Sequence, residues 1–258
     1  MEDLPILALR HPWLLAGLLF CSLLLSLEAG RALGRRQPTA RPNDDGVGLI
    51  EGSLFALLGL LLALSFSAAA NRFEMRRSLI VEEANAIGTA RLRIDVLPQS
   101  YWAPMSAAFD RYVRSRDDAY RLSDDPREFR EALKRSAVIQ KEIWAMAAEG
   151  GRKPDAAPGA NVLLMPALNA MIDITTTRAM AMRMHTPQAV FVVLWLSALA
   201  ADLVAGHRMA SGARSWLSIL TFVTVVTCVL YLLIDLEYPR LGLVRIDSFD
   251  AVLANGEP

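Results

Sequence analysis

The chain has 258 residues, of which 53% are hydrophobic and 21% charged, and a mean hydropathy of +0.31. That is too apolar for an ordinary soluble domain and too charged for a uniformly greasy one, so the two residue types must be segregated along the sequence. The 27 basic residues balance the 27 acidic ones, which excludes the dominant basic surface that a nucleic-acid partner requires.

Four stretches have the roughly 17–25 mostly apolar residues that a spanning helix needs. They run from Pro12 to Ala29, Val47 to Ala70, Pro187 to Gly206 and Ser215 to Tyr238. Pro12 and Pro187 suit first-turn positions, and Pro239 ends the fourth span. Trp13, Trp216 and Tyr238 sit near span ends, where amphipathic rings favour the headgroup layer. The first span is expected to stay in the protein as a span and not to be a cleaved leader, because MEDLPILALR carries two acids against one arginine and SLEAG offers no small-x-small site. Cys21 and Cys228 both lie in apolar runs, which rules out a disulfide framework.

Between spans two and three, residues 71–186 are rich in charge and poor in strand signals. Ile80, Ala84, Ile87, Arg91 and Ile94 step by four and three, the spacing of one helix face, and Pro98 closes that helix. A second helix is expected over Pro104–Leu122. Ser123-Asp-Asp-Pro126 reads as a cap with proline in the first turn of a third helix, Pro126–Glu149, whose buried side is Phe129, Leu133, Ala137 and Ile143/Trp144. A loop, GGRKPDAAPG, precedes a last helix over Asn161–Met184 that leads into span three. The expected fold class is all-α. Its organisation is residues 1–70 with two spans, 71–186 as a helical body, 187–239 with two more spans, and a short tail over 240–258.

Basic residues near span ends number six on one side (Arg31, Arg35, Arg36, Arg41, Arg208, Arg214). The other side has eight (Arg10, Arg72, Arg76, Arg77, Arg178, Arg183, Arg240, Arg245). The margin favours a cytoplasmic body and cytoplasmic termini, although the first loop alone argues the reverse.

Charges within the bilayer are costly and ask for a reason. Glu51 and Asp202 fall towards one face, Asp235 and Glu237 towards the other. Two readings fit: carboxylates at the mouths of a polar path for ions or protons, or side chains that reach the headgroups. His11, His185 and His207 sit at separate span ends without metal-ligand spacing, and no nucleophile motif is present. No metal, no cofactor and no enzymatic activity are expected. Leu58, Leu62 and Phe66 form an i, i+4, i+8 stripe in span two, with Gly52 and Gly59 allowing close helix approach. Such a stripe serves either an axial constriction or plain helix packing.

The run Leu54–Arg72 with its continuation RFEMRRSLIVEEANAIGTA resembles the second span of bacterial bestrophins, through Gly59, Leu62, Ala63, Asn71, Arg72, Phe73 and Glu74. More broadly, the chain resembles the bacterial bestrophin-like domain family. The matching features are Glu82-Glu-Ala-Asn-Ala-Ile-Gly-Thr89, Leu97-Pro98, Trp144, Leu168-Asn169, Asp173 with Arg178, and Asp235-x-Glu237-x-Pro239-x-x-Gly242.

Bestrophins are pentameric anion channels with four spans per subunit and a helical cytoplasmic body. The resemblance therefore implies a homo-oligomer in the bacterial inner membrane that passes inorganic anions. It implies span two around the axis, with Leu58, Leu62 and Phe66 as neck residues. No dense acidic run follows span four, so it implies no calcium site. Glu82, Glu83 and Asn85 are expected on a polar side, either pairing with Arg178 or Arg183 to close the body or forming a conducting site. Two other functions remain open: a membrane-anchored module whose body binds a protein, and a proton or cation transporter using Asp202 and Asp235.

Overall fold

The computed structural model describes residues 12–36, 45–122, 125–211, 214–238 and 243–244. Among them the secondary structure is helical throughout: α1 (Pro12–Arg36), α2 (Asp45–Leu92), α3 (Gln99–Arg121), α4 (Pro126–Gly150), α5 (Ala160–Arg183), α6 (Gln188–Arg208) and α7 (Trp216–Glu237), with short 3-10 turns at Arg93–Val96 and Met209–Ser211. Arg10, His11, Arg41, Ser123, Arg240, Arg245, Pro239 and Gly242, invoked above, lie outside the described residues.

Span two and the helix expected to follow it are one continuous helix of 48 residues. At 1.5 Å per residue, 48 residues make about 72 Å of helix, more than twice what the roughly 30 Å hydrocarbon thickness asks of a span, so a span needs only part of α2. It ends where a 3-10 turn reaches Leu97 and Pro98. The next helix starts at Gln99, not at Pro104 as its sequence suggests. Pro98 is its N-cap and Pro104 lies inside it, just past the first turn, where the missing N–H forfeits a single backbone bond. The cap before Pro126 forms as its spacing indicates: the Asp125 carboxylate accepts from the amides of Arg127 (2.7 Å) and Glu128 (3.2 Å).

The chain divides into two compact units, with boundaries between Phe73 and Glu74 and between Met184 and His185. Unit 1 holds α1, the first part of α2, α6 and α7. Its core gathers Leu19, Leu23 and Leu27 of α1, Leu58 of α2, Leu194 and Ala198 of α6, and Val223 and Leu230 of α7. The four helices long and apolar enough to cross a membrane all contribute to it.

Helices α1 and α6 run parallel with a constant register. Trp195 donates to the Ser22 hydroxyl (3.2 Å) and Ser26 donates to the Leu199 carbonyl (2.7 Å). One and two turns further on, a Cβ on Gly30 would stand 1.9 Å from the Leu203 carbonyl oxygen, and one on Gly34 would stand 2.6 Å from that of His207. Ser22, Ser26, Gly30 and Gly34 thus form a ridge of small residues four apart. From the other side Gly206 fits against the Leu27 carbonyl, which its Cβ would approach to 1.8 Å. Backbone-to-backbone contact of this kind is how helices associate in lipid, where burying leucine gains little.

Unit 2 holds the rest of α2 with α3, α4 and α5. Met105, Ala108, Phe109, Tyr112, Ile143, Ala147, Leu164, Leu168 and Met171 are fully enclosed. Leu79 of α2 packs on Ile174 and Ala181 of α5. Of the buried side expected on α4, Phe129 and Ile143 are buried, whereas Leu133, Ala137 and Trp144 are half-buried at its edge. The loop after α4 turns through Gly159, whose φ of +75° favours glycine. The Ala157 amide ties that loop to the Val96 carbonyl (2.9 Å).

Candidate functional site: carboxylates and the exposed stripe of α2

In unit 2 the motif glutamates part company. Glu82, Asn85 and Asp173 are exposed, whereas Glu83 is fully buried. Position 83 points inward because Leu79, Glu83, Ile87 and Ala90 share the helix face that carries the core. Glu83 accepts from Arg116 Nε (2.6 Å), from Arg178 Nη1 (2.7 Å) and from the Tyr120 hydroxyl (3.1 Å). The Arg178 guanidinium lies 3.4 Å from the centroid of the Tyr120 ring. Burial would push the Glu83 carboxyl up, but the two guanidiniums and their hydrogen bonds outweigh it and hold the group below its ordinary 4.5. The Glu83 carboxylate likewise outweighs burial at Arg116 and holds that guanidinium above its usual range. Tyr112, bonded by Gln140 (3.0 Å), is pushed up to about 12 by burial. The expected pairing with Arg178 is present. Arg183 is exposed and apart from it, and Arg116 and Tyr120 are partners that the sequence reading did not single out.

The four carboxylates of unit 1 fall into different settings. Glu51 takes a charge-assisted bond from Arg208 (2.6 Å). Asp235 is fully buried and accepts from the amides of Leu243 and Val244 (2.8 Å each) and from the Tyr231 hydroxyl (3.2 Å). It staples the chain beyond α7 back onto the helix end. Glu237, also fully buried, accepts from Arg72 Nε (2.7 Å) and from both the amide (3.0 Å) and the hydroxyl (2.6 Å) of Thr186. Asp202 is fully buried on α6, one turn before Gly206, and among the described residues neither of its oxygens has a hydrogen-bond partner. A mouth carboxylate free to bind an ion therefore describes neither Asp235 nor Glu237, whose oxygens are committed to protein donors.

Span two is the least enclosed of the four spans. Leu54, Phe55, Leu58, Leu61 and Leu62 lie against the unit's own core. Leu58 is only 5% exposed, and Leu62 is half-buried beside it. Phe66, 39% exposed, has rotated off that face. On the opposite face Leu49, Ser53, Ala56, Leu60, Ala63, Ser67 and Asn71 are exposed without interruption at steps of four and three. An i, i+4, i+8 series drifts about 40° per step around a 3.6-residue helix, so it turns from the core towards the flank, whereas alternating steps of three and four keep to one face. Among the described residues no group of three or more His, Cys, Asp or Glu is placed to hold a metal ion.

Four apolar helices of spanning length, two of them (α1 and α6) joined through small residues, with Asp235 and Glu237 buried and tied at the end of α7, define an integral membrane protein of the α-helical, multispanning class. Residues 18–248 match the family model of the bestrophin-like domain, and the chain belongs to that family. No curated protein and no solved structure matches it.

Proposed function

We propose that this protein is a homo-oligomeric channel of the inner membrane that passes inorganic anions along an axis faced by α2, with unit 2 and both termini on the cytoplasmic side. The observation that carries the reading is the uninterrupted exposed stripe on a spanning helix whose other face is packed. Ser67 and Asn71 supply hydroxyl and amide donors suited to an anion, while the Ser53 hydroxyl donates to the Leu49 carbonyl (2.8 Å), and no carboxylate interrupts the stripe between them. Leu60, 56% exposed, stands between them as an apolar constriction that would gate by dewetting. Under this reading the axis is lined by Ser53, Ala56, Leu60, Ala63 and Ser67, with Phe66 at its flank. Leu58 and Leu62 support the stripe from behind and do not line it.

The test is anion efflux from liposomes holding the purified protein. Leu60→Ala is expected to raise flux, and Leu58→Ala to lower protein stability before it alters selectivity. Absence of flux from correctly oligomeric wild-type protein would overturn the channel.

A second reading, a non-conducting module whose body binds a protein partner, is favoured by the surface of unit 2. Helix α4 exposes Arg127, Glu128, Arg130, Glu131, Lys134, Arg135, Lys141 and Glu142, a solvated face. Helix α5 exposes Val162, Leu163, Asn169, Thr177 and Met180, a nearly neutral one that suits a protein contact.

A further inference from the structure

Among the described residues the chain passes between unit 1 and unit 2 twice, inside α2 after Phe73 and between α5 and α6 after Met184. On the unit 1 side both passages are tied to one carboxylate. Glu237, the last residue of α7, accepts from Arg72 Nε through both oxygens (2.7 and 3.3 Å) and from the Thr186 amide (3.0 Å) and hydroxyl (2.6 Å). Arg72 closes the triangle by donating through Nη2 to the same hydroxyl. Each of the three side chains is therefore bonded to the other two. Arg72 sits one residue before the first passage and Thr186 two residues after the second.

The local backbone makes this arrangement consequential. Helix α5 ends at Arg183 and α6 begins at Gln188, so residues 184–187 have no helical ladder of their own. Met184 and Pro187 are extended, with ψ of 100° and 134°. The Thr186 amide takes the Glu237 carboxylate as its acceptor (3.0 Å). His185 stacks on Tyr238, one residue past Glu237, at 4.9 Å between ring centroids and 18° between planes. His185 and Thr186 are thus held by the end of α7, whereas Met184 is tied at its amide to the Ala181 carbonyl (3.4 Å) and at its carbonyl to Arg76 (2.6 Å).

We propose that the Arg72–Thr186–Glu237 triangle is a latch that holds both chain passages at the end of α7, and that removing the Glu237 charge frees residues 184–187 while the helices of both units stay folded. The latch stands whether or not ions pass along α2. Where flux does occur, the same variants should change it, because Arg72 belongs to the axis-facing helix.

The test is amide hydrogen exchange on the full-length protein in detergent. In Glu237→Gln, exchange at the Thr186 amide and at the adjoining His185 amide (Pro187 has none) should speed up at least about tenfold, as expected for the loss of a charge-assisted hydrogen bond. Residues 105–120 of α3 and 219–230 of α7 should exchange as in the wild type. Thr186→Val, which keeps the amide and removes the hydroxyl, should give a smaller acceleration, and Thr186→Ser should restore wild-type protection. Unchanged exchange at 184–187 in Glu237→Gln overturns the latch, as does equal loss of protection over 219–230, which would make Glu237 a folding residue of α7. If Glu237→Gln does not fold, Thr186→Val decides: faster exchange confined to 184–187 supports the latch, and unchanged exchange overturns it.

Discussion

In unit 1 the closest approach between helices is backbone against backbone, at Gly30 and Gly206. In unit 2 the centre is a carboxylate between two guanidiniums, with one tyrosine ring against both of them. The difference fits the proposed placement, with unit 1 in the bilayer and unit 2 in water. Among lipid tails, leucine gains almost nothing by leaving one apolar surface for another, so cohesion comes from dispersion and weak Cα–H···O contacts that only small residues permit. In water the apolar core supplies the driving force, and a buried polar cluster fixes which helix faces meet, provided every member has its partner. Glu83, Arg116 and Tyr120 meet that condition within the cluster.

The comparison can be broken in either unit. Glu83→Ala has the largest expected effect, because it leaves Arg116 and Arg178 buried against no carboxylate. A loss of about 3–5 kcal/mol is expected, read by chemical denaturation with a probe in unit 2. Replacing Glu83, Arg116 and Arg178 together by Leu, Met and Met should cost far less, or nothing. The same cluster sets a pH dependence. Because the folded-state pKa of Glu83 is depressed, its contribution is fully present above the unfolded value of about 4.5 and is lost as the pH falls through the folded value. Acid denaturation followed at constant ionic strength should be shallower below pH 4.5 in the triple apolar variant than in the wild type.

In unit 1 the diagnostic change is smaller and reverses an ordinary sign. Gly→Ala inside a helix normally stabilises by about 1 kcal/mol, and Gly17, with nothing within 4 Å of its Cβ position, should follow that rule. Gly206→Ala should instead destabilise by about 1–3 kcal/mol, because its methyl meets the Leu27 carbonyl of α1 and the backbones must part. Thermal unfolding of the two variants in one detergent gives the comparison.

Much of this architecture is legible in the sequence. Apolar length alone locates four helices of spanning length, because nothing else in a chain with this charge content keeps twenty residues free of it. The Asp125-Pro126 cap also follows from residue type and spacing, whereas the Glu83–Arg178 pair is one of several alternatives that the sequence leaves open, since the stripe through Ala84 and Ile87 sets Glu83 on the polar side and the fold buries it. The orientation of span two does not. In a run such as LFALLGLLLAL every face carries leucine, so hydrophobic contrast cannot say that Leu58 turns inward and Leu60 outward. The start of α3 is ambiguous for a related reason: Pro98 and Pro104 are both plausible first-turn prolines, and only the packing of Met105, Ala108 and Phe109 chooses between them. The ridge Ser22, Ser26, Gly30, Gly34 emerges only from the structure, although its residues are small and four apart, and its partner on α6 is harder still to see, since Ala198, Asp202 and Gly206 join a small-residue series through a charged side chain. Asp235 and Glu237 drew attention as membrane carboxylates. Apart from Tyr231 on α7 itself, their donors come from 72, 186, 243 and 244, positions that sequence spacing does not connect to α7.

The central claim is that the exposed stripe of α2 turns towards copies of the same chain around an axis. Its most direct test is the protein mass of the purified particle, measured by light scattering corrected for bound detergent. The account predicts a pentamer, about five times 28.3 kDa, the number of subunits being the one that the bestrophin resemblance implies. A monodisperse monomer or dimer would contradict it, because neither can enclose an axis with α2, and the stripe would then face lipid.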